Sequence, residues 1–169
     1  MVGVLGLLGV AAIVGLVAFI SNKAGEAERE AKKTCEGFSY VGRQDLDHCA
    51  RPGDSVEANG LTVTASALER DTDEFEEGVL CTDVTFRNRS DEAESLGTTD
   101  WDLQRPDGAI ATANFASEIE ASSIAAGAST EGRICFEDRG RADEGDYLIL
   151  WEPFGIRARR GVWVGPVGG

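Results

Sequence analysis

Val79-Leu80-Cys81-Thr82-Asp83-Val84-Thr85-Phe86-Arg87 decides the fold, and Asn88-Arg89-Ser90-Asp91-Glu92 turns the chain directly after it. Leu80, Val84 and Phe86 fall on one face of an extended chain, while Val79, Cys81, Asp83 and Thr85 fall on the other. An apolar face of period two, rich in β-branched and aromatic residues and closed by a turn cluster, predicts a half-buried strand. Upstream, Ser55–Ala58 and Leu61–Leu68 flank Asn59-Gly60, a pair that supplies the positive φ angles of a tight hairpin turn. Leu61, Val63, Ala65 and Ala67 alternate with Thr62, Thr64 and Ser66, which again leaves one apolar and one polar face.

Downstream the same grammar repeats. Trp101 and Leu103 lead into the bend Arg105-Pro106-Asp107-Gly108, and Ala109–Ala113 leads away from it. Ile124 and Ala126-Gly127 precede a strand at Gly132–Glu137, with Ile134 and Phe136 inward. Tyr147–Trp151 is almost wholly apolar, as a central strand buried on both faces should be. Pro153 ends it, and Val162-Trp163-Val164 forms the last strand. About seven or eight short strands with no amphipathic helix of useful length predict an antiparallel two-sheet sandwich.

The four cysteines are Cys35, Cys49, Cys81 and Cys135. They contain no CxxC pair, and with the single histidine His48 they do not suggest a zinc site. Of the three possible pairings, Cys35–Cys49 closes a short loop ahead of the strands and Cys81–Cys135 cross-links two of them. Strand parity places Cys81 and Cys135 on the faces opposite Leu80, Val84 and Phe86 and opposite Ile134 and Phe136. An outward pair can bond only if its strands are neighbours; otherwise both are surface thiols. Disulfides imply an oxidising compartment.

The chain carries a net charge of −14. Its lysines, Lys23, Lys32 and Lys33, all precede Cys35, so the strand region is more acidic still. Such a field repels nucleic acid, because every phosphate contact needs an unopposed Lys or Arg. Met1 to Ile20 carry no charge, and about twenty apolar residues cross a hydrocarbon core of ~30 Å. No basic residue precedes this run, as a cleaved signal would require, and Cys35 follows it too late for a lipoprotein cysteine. The expectation is an uncleaved transmembrane helix at 1–20, a charged stalk and linker at 21–50 with the first disulfide loop, and a sandwich domain at 51–169. Lys23, Arg29, Lys32 and Lys33 argue for a cytoplasmic domain by the positive-inside tendency, whereas the cysteines argue for an extracytoplasmic one. The cysteines carry more weight, since a disulfide needs an oxidising side.

Taken in order, Gly53-Asp54-Ser55-Val56, Asn59-Gly60-Leu61-Thr62-Val63-Thr64, the run Asp83 to Glu92, Trp101-Asp102-Leu103, Pro106-Asp107-Gly108, Ala126-Gly127 and Gly132-Arg133-Ile134-Cys135-Phe136 form a familiar series. The series resembles the telokin-like, immunoglobulin-type domain of unknown function found in bacterial surface lipoproteins and secreted antigens. It spans roughly Pro52 to Glu152, with Ala126-Gly127 in place of the family's usual Pro-Gly and without the lipoprotein cysteine. The resemblance implies an immunoglobulin-like β-sandwich outside the membrane and carries over no catalytic residue.

Candidate chemistry is sparse. His48 sits between Asp47 and Cys49 in the first disulfide loop and is expected at the surface, with no nucleophile arranged beside it. No phosphate-binding glycine pattern follows a strand, and no cofactor is implied. Asp71, Asp73, Glu74, Glu76 and Glu77 could offer oxygens to a hard cation, but they lack the glycine and spacing of calcium loops. Arg157, Arg159 and Arg160 could meet an anionic partner; pairing with the surplus carboxylates is the plainer expectation. Asn88-Arg89-Ser90 matches a glycosylation sequon, but the family turn explains it better. The leading reading is a non-catalytic module held at the lipid bilayer through residues 1–20 and binding a protein or cell-envelope component. The alternatives are a metal-binding or metal-dependent envelope enzyme using loop 71–77, and a purely structural envelope protein.

Overall fold

The computed structural model describes residues 34–75, 77–138, 144–153 and 159–168. In chain order its strands are β1 (Asp47–Ala50), β2 (Ser55–Ala58), β3 (Leu61–Ala65), β4 (Glu69–Thr72), β5 (Gly78–Asn88), β6 (Glu94–Ser95), β7 (Trp101–Gln104), β8 (Ile110–Thr112), β9 (Glu118–Ile119), β10 (Ser123–Ile124), β11 (Ser129–Glu137), β12 (Tyr147–Trp151) and β13 (Arg160–Gly165). One sheet runs β1-β13-β12-β7-β8; the other runs β2-β3-β5-β11-β9, with β4 also on β5, and β6 pairs with β10 in a small ribbon. Among these strands only β1 and β13 are parallel, in the register Asp47 opposite Arg160 to Ala50 opposite Trp163. The all-β sandwich expected from the alternating pattern is therefore present.

Two faces of strand β12 explain the layering. Tyr147, Ile149 and Trp151 join the main core with Phe86, Trp101 and Trp163. Leu148 and Leu150 point to the opposite side, where they pack with Cys35, Cys49, Val162, Phe38 and Tyr40. The chain from Cys35 to Leu46 thus covers the outer face of the first sheet, and β1, at the edge of that sheet, extends the sandwich upstream of the expected start at Arg51. In the main core the Trp101 and Trp163 rings stack at 5.8 Å, and Phe86 meets Trp101 edge-on at 6.0 Å. Such aromatic pairs add about 0.5–1.5 kcal/mol each beyond the area they bury.

The hairpin between β2 and β3 turns at Asn59 (φ 54°) and Gly60 (φ 80°), the two consecutive positive angles that a type I′ turn needs. Strand β5 outlasts β3: its C-terminal half pairs with β3, and its first residues pair with β4 from Glu69 opposite Cys81 to Thr72 opposite Gly78. Part of the acidic stretch read as a loop is consequently a strand. His48, expected at the surface, is only 4 % exposed because β1 lies against β13. The apolar run Met1–Ile20 and the stalk up to Lys33 lie outside the described residues. Among those that are described, no helix is long and apolar enough to cross a membrane.

Candidate functional site

Both disulfides join the partners favoured from the sequence, Cys35 with Cys49 and Cys81 with Cys135. Cys81 and Cys135 stand directly opposite each other on β5 and β11. They lie on the outer face of the second sheet, as parity requires, yet neither is exposed: they are 1 % and 2 % accessible. Segment 113–117 covers them, with Ala116 packed against the cluster of Val79, Cys81 and Cys135. Three hydrogen bonds hold that segment to Cys135: Asn114 N–H donates to its carbonyl (2.9 Å), Ser117 Oγ donates to the same oxygen (3.0 Å), and the Cys135 N–H donates to Ser117 Oγ (2.8 Å).

The carboxylates suggested as cation ligands lie beside this cover, and two of them are committed elsewhere. Asp71 accepts from Arg133 Nη2 at 2.9 Å and from the Thr72 N–H at 2.8 Å. Those bonds, the backbone one first, hold its pKa below the ordinary carboxylate value. Asp73 Oδ1 accepts the N–H groups of Phe75 and Glu77, both at 2.9 Å, and so shapes its own turn. Glu74 and Glu77 are exposed, and Glu76 lies outside the described residues. Among the described residues, no group of three or more His, Cys, Asp or Glu side chains is placed to hold a metal ion.

Arg133 forks between Asp71 and Asp83 on the same outer face, 2.9 Å from each. Burial works against its charge, but these two carboxylates outweigh it and raise its pKa. Beside it lies a shallow depression of about 380 Å³ lined by Glu118, Glu120 and Glu131 as well as Asp83. At the end of the face, Phe75 from the β4–β5 turn meets Phe115 from the covering segment edge-on at 5.5 Å. Each ring is 65 % exposed. Sequence reasoning did not single out this pair; the one available clue is an aromatic residue stranded among acids, Asp73-Glu74-Phe75, out of phase with any strand.

The other polar centre ties the N-terminal cover to the first sheet. Arg160 donates from Nε and Nη2 to the two oxygens of Asp47, both at 2.7 Å, from Nη1 to Glu152 (3.0 Å) and from Nη2 to the Gly42 carbonyl (2.9 Å). Tyr40 Oη donates to Asp47 Oδ2 at 2.6 Å. Burial, then the Asp47 hydrogen bond and charge, push the Tyr40 phenol well above its usual range. Arg160 thus pairs within the chain, as expected of that arginine cluster. Arg159 exchanges backbone hydrogen bonds with the Asn59 side chain, and Arg157 lies outside the described residues. Asn88 of the sequon is 0 % exposed. Its amide donates to the carbonyls of Glu92 (2.7 Å) and Ile124 (3.0 Å), so the side chain organises the turn.

Comparison with known proteins places this geometry. The secreted protein MPT63 from Mycobacterium tuberculosis matches with a TM-score of 0.53 at 13 % identity, over 69 % of this chain and 96 % of that one. A putative lipoprotein from Bacillus subtilis, ycdA, matches with a TM-score of 0.55 at 15 % identity, over 69 % of this chain but only 39 % of that one. At such identities the likeness is one of fold. No curated protein matches the chain at a significant level. The model of a family described as a domain of unknown function, DUF4352, matches residues 51–151, the span that holds β2 to β12 and the Cys81–Cys135 bridge. On that match, over more than half of its length, the chain belongs to the DUF4352 family.

Proposed function

We propose that this protein is a membrane-anchored, extracytoplasmic, non-catalytic immunoglobulin-like module that binds a protein or cell-envelope component. The pair of disulfide bridges carries the reading, since such bonds persist where the surroundings oxidise thiols. The uncharged run Met1–Ile20 is long enough to anchor the chain, and the two similar structures, a secreted protein and a putative lipoprotein, agree with a location outside the cytosol. A binding role is supported by exposed aromatic rings on short, hydrogen-bonded turns. The lone histidine is buried in β1, only 4 % exposed.

Three measurements test the proposal. Non-reducing mass mapping of protein from native membranes should return Cys35–Cys49 and Cys81–Cys135, and external protease should remove a tag at Gly169 in intact cells. Free thiols or a protected tag would overturn the location. Capture from envelope extracts on the immobilised protein should retain a specific component, and a repeated blank would favour a structural role.

A further inference from the structure

We infer that the Phe75–Phe115 pair, with the carboxylates around it, is the docking surface for a basic polypeptide segment that carries apolar side chains. The inference rests on the reading of this protein as a binding module and names the chemistry of the partner. Two large rings, each 65 % exposed, meet edge-on at 5.5 Å, although they come from different parts of the chain. Their own contact is worth little compared with the apolar surface they leave in water. Both are held in place: Asp73 fixes the Phe75 turn through two backbone N–H groups, and three bonds to Cys135 fix the segment that bears Phe115. Rigid, exposed aromatic anchors lose little freedom on binding, the property that makes such residues dominate interfaces.

Charge selects the occupant. Glu74 and Glu77 flank Phe75, and Glu118 follows Phe115 at the start of β9; none of the three has an ion-pair partner among the described residues. The nearby guanidiniums are already taken, Arg133 by Asp71 and Asp83, and Arg70 by Asp138 at 3.4 Å. A patch of aromatic faces with unopposed carboxylates suits Lys or Arg, whose cations can sit on a ring while their stems and apolar neighbours cover the rest. A second copy of this chain, at net −14, and an anionic membrane are both repelled.

The test uses the full chain in zwitterionic lipid nanodiscs and a labelled peptide of alternating Lys and Leu, read by fluorescence anisotropy against empty nanodiscs. Saturable binding is expected, weakened roughly tenfold by each of F75S and F115S and reduced further by salt. The same peptide with Glu in place of Lys should not bind. Because both rings are mostly exposed, the two variants should keep the wild-type melting temperature, so a loss of binding is not a loss of fold. Binding unaffected by F75S and F115S, or equal binding of the Glu peptide, would overturn the inference. So would self-association or adsorption to phosphatidylglycerol vesicles that depends on the two rings, since either would name a different occupant. An envelope component captured equally by wild type and by the F75S/F115S double variant would leave the binding module standing and remove this surface from it.

Discussion

Replacing Arg160 by Met should unfasten the N-terminal cover from the first sheet. In the native protein the guanidinium makes four hydrogen bonds and its partner Asp47 is buried, with side-chain exposures of 10 % and 0 %. Without Arg160, the Asp47 carboxylate keeps only the Tyr40 hydroxyl at 2.6 Å and the Gln44 N–H at 2.8 Å. Breaking a buried pair from one side costs about 3–5 kcal/mol, because the remaining charge stays out of water. Two surviving donors place R160M near the lower end, about 3 kcal/mol, or on the order of 10 °C in Tm. D47L alone should cost less, about 2 kcal/mol, since the guanidinium keeps the Glu152 carboxylate at 3.0 Å and the Gly42 carbonyl at 2.9 Å. The double variant R160M/D47L should cost far less than the sum, with a coupling of about 2–3 kcal/mol. Urea unfolding followed by the fluorescence of the buried Trp101, Trp151 and Trp163 measures all four proteins. Single variants costing under about 1 kcal/mol, the value of an exposed pair, together with simple additivity, would refute the reasoning.

The remaining predictions concern the bridges, one turn and one half-buried acid. By chain entropy, C81A/C135A should cost roughly 4 kcal/mol and C35A/C49A roughly 3 kcal/mol, from loop separations of 54 and 14; only the latter should admit protease between Glu36 and Asp47. N88A should cost about 2–3 kcal/mol by leaving the Glu92 and Ile124 carbonyls without their donor, and N88D should cost more, since it turns an acceptor toward both; urea melts rank the two. Burial raises the Asp100 pKa above 3.8, against a smaller opposing bond from Gly97. The folded state therefore disfavours the carboxylate, and stability declines as pH rises through the folded pKa. D100N should be at least as stable as wild type at pH ~7, and that advantage should vanish when unfolding is measured at a pH below the unfolded value of ~3.9.

What could be read from residues alone followed where burial was a local matter. Strand β12 declared itself by five consecutive apolar side chains and β5 by alternation, while Asn59-Gly60 specified its turn through backbone angles that few other pairs adopt. Strand β1 was hidden: Asp47-His48-Cys49-Ala50 carries two ionisable side chains, and its burial depends on Arg160, more than a hundred residues away. Glu69-Arg70-Asp71-Thr72 has no apolar face, and it becomes β4 only because β5 is longer than β3 and offers spare ladder positions. The parity of Cys81 and Cys135 was legible, but not the segment that roofs them, since nothing in Asn114–Ser117 announces where it will pack. Phe75 and Phe115 likewise meet through tertiary structure, forty positions apart in the chain.

The Cys35–Cys49 bridge also sets a length. With the sulfurs joined, the two α-carbons stand 4.7 Å apart, and the residues between them add no slack to the tether. An extended chain spans up to about 3.3–3.6 Å per residue, so cutting this bridge and peeling away β1 would release roughly 42–46 Å beyond the bridged 4.7 Å, from a separation of 14. Oxidation state thereby governs how far the sandwich can stand from whatever grips the chain ahead of Cys35, a difference in reach wider than the hydrocarbon core of a bilayer, ~30 Å.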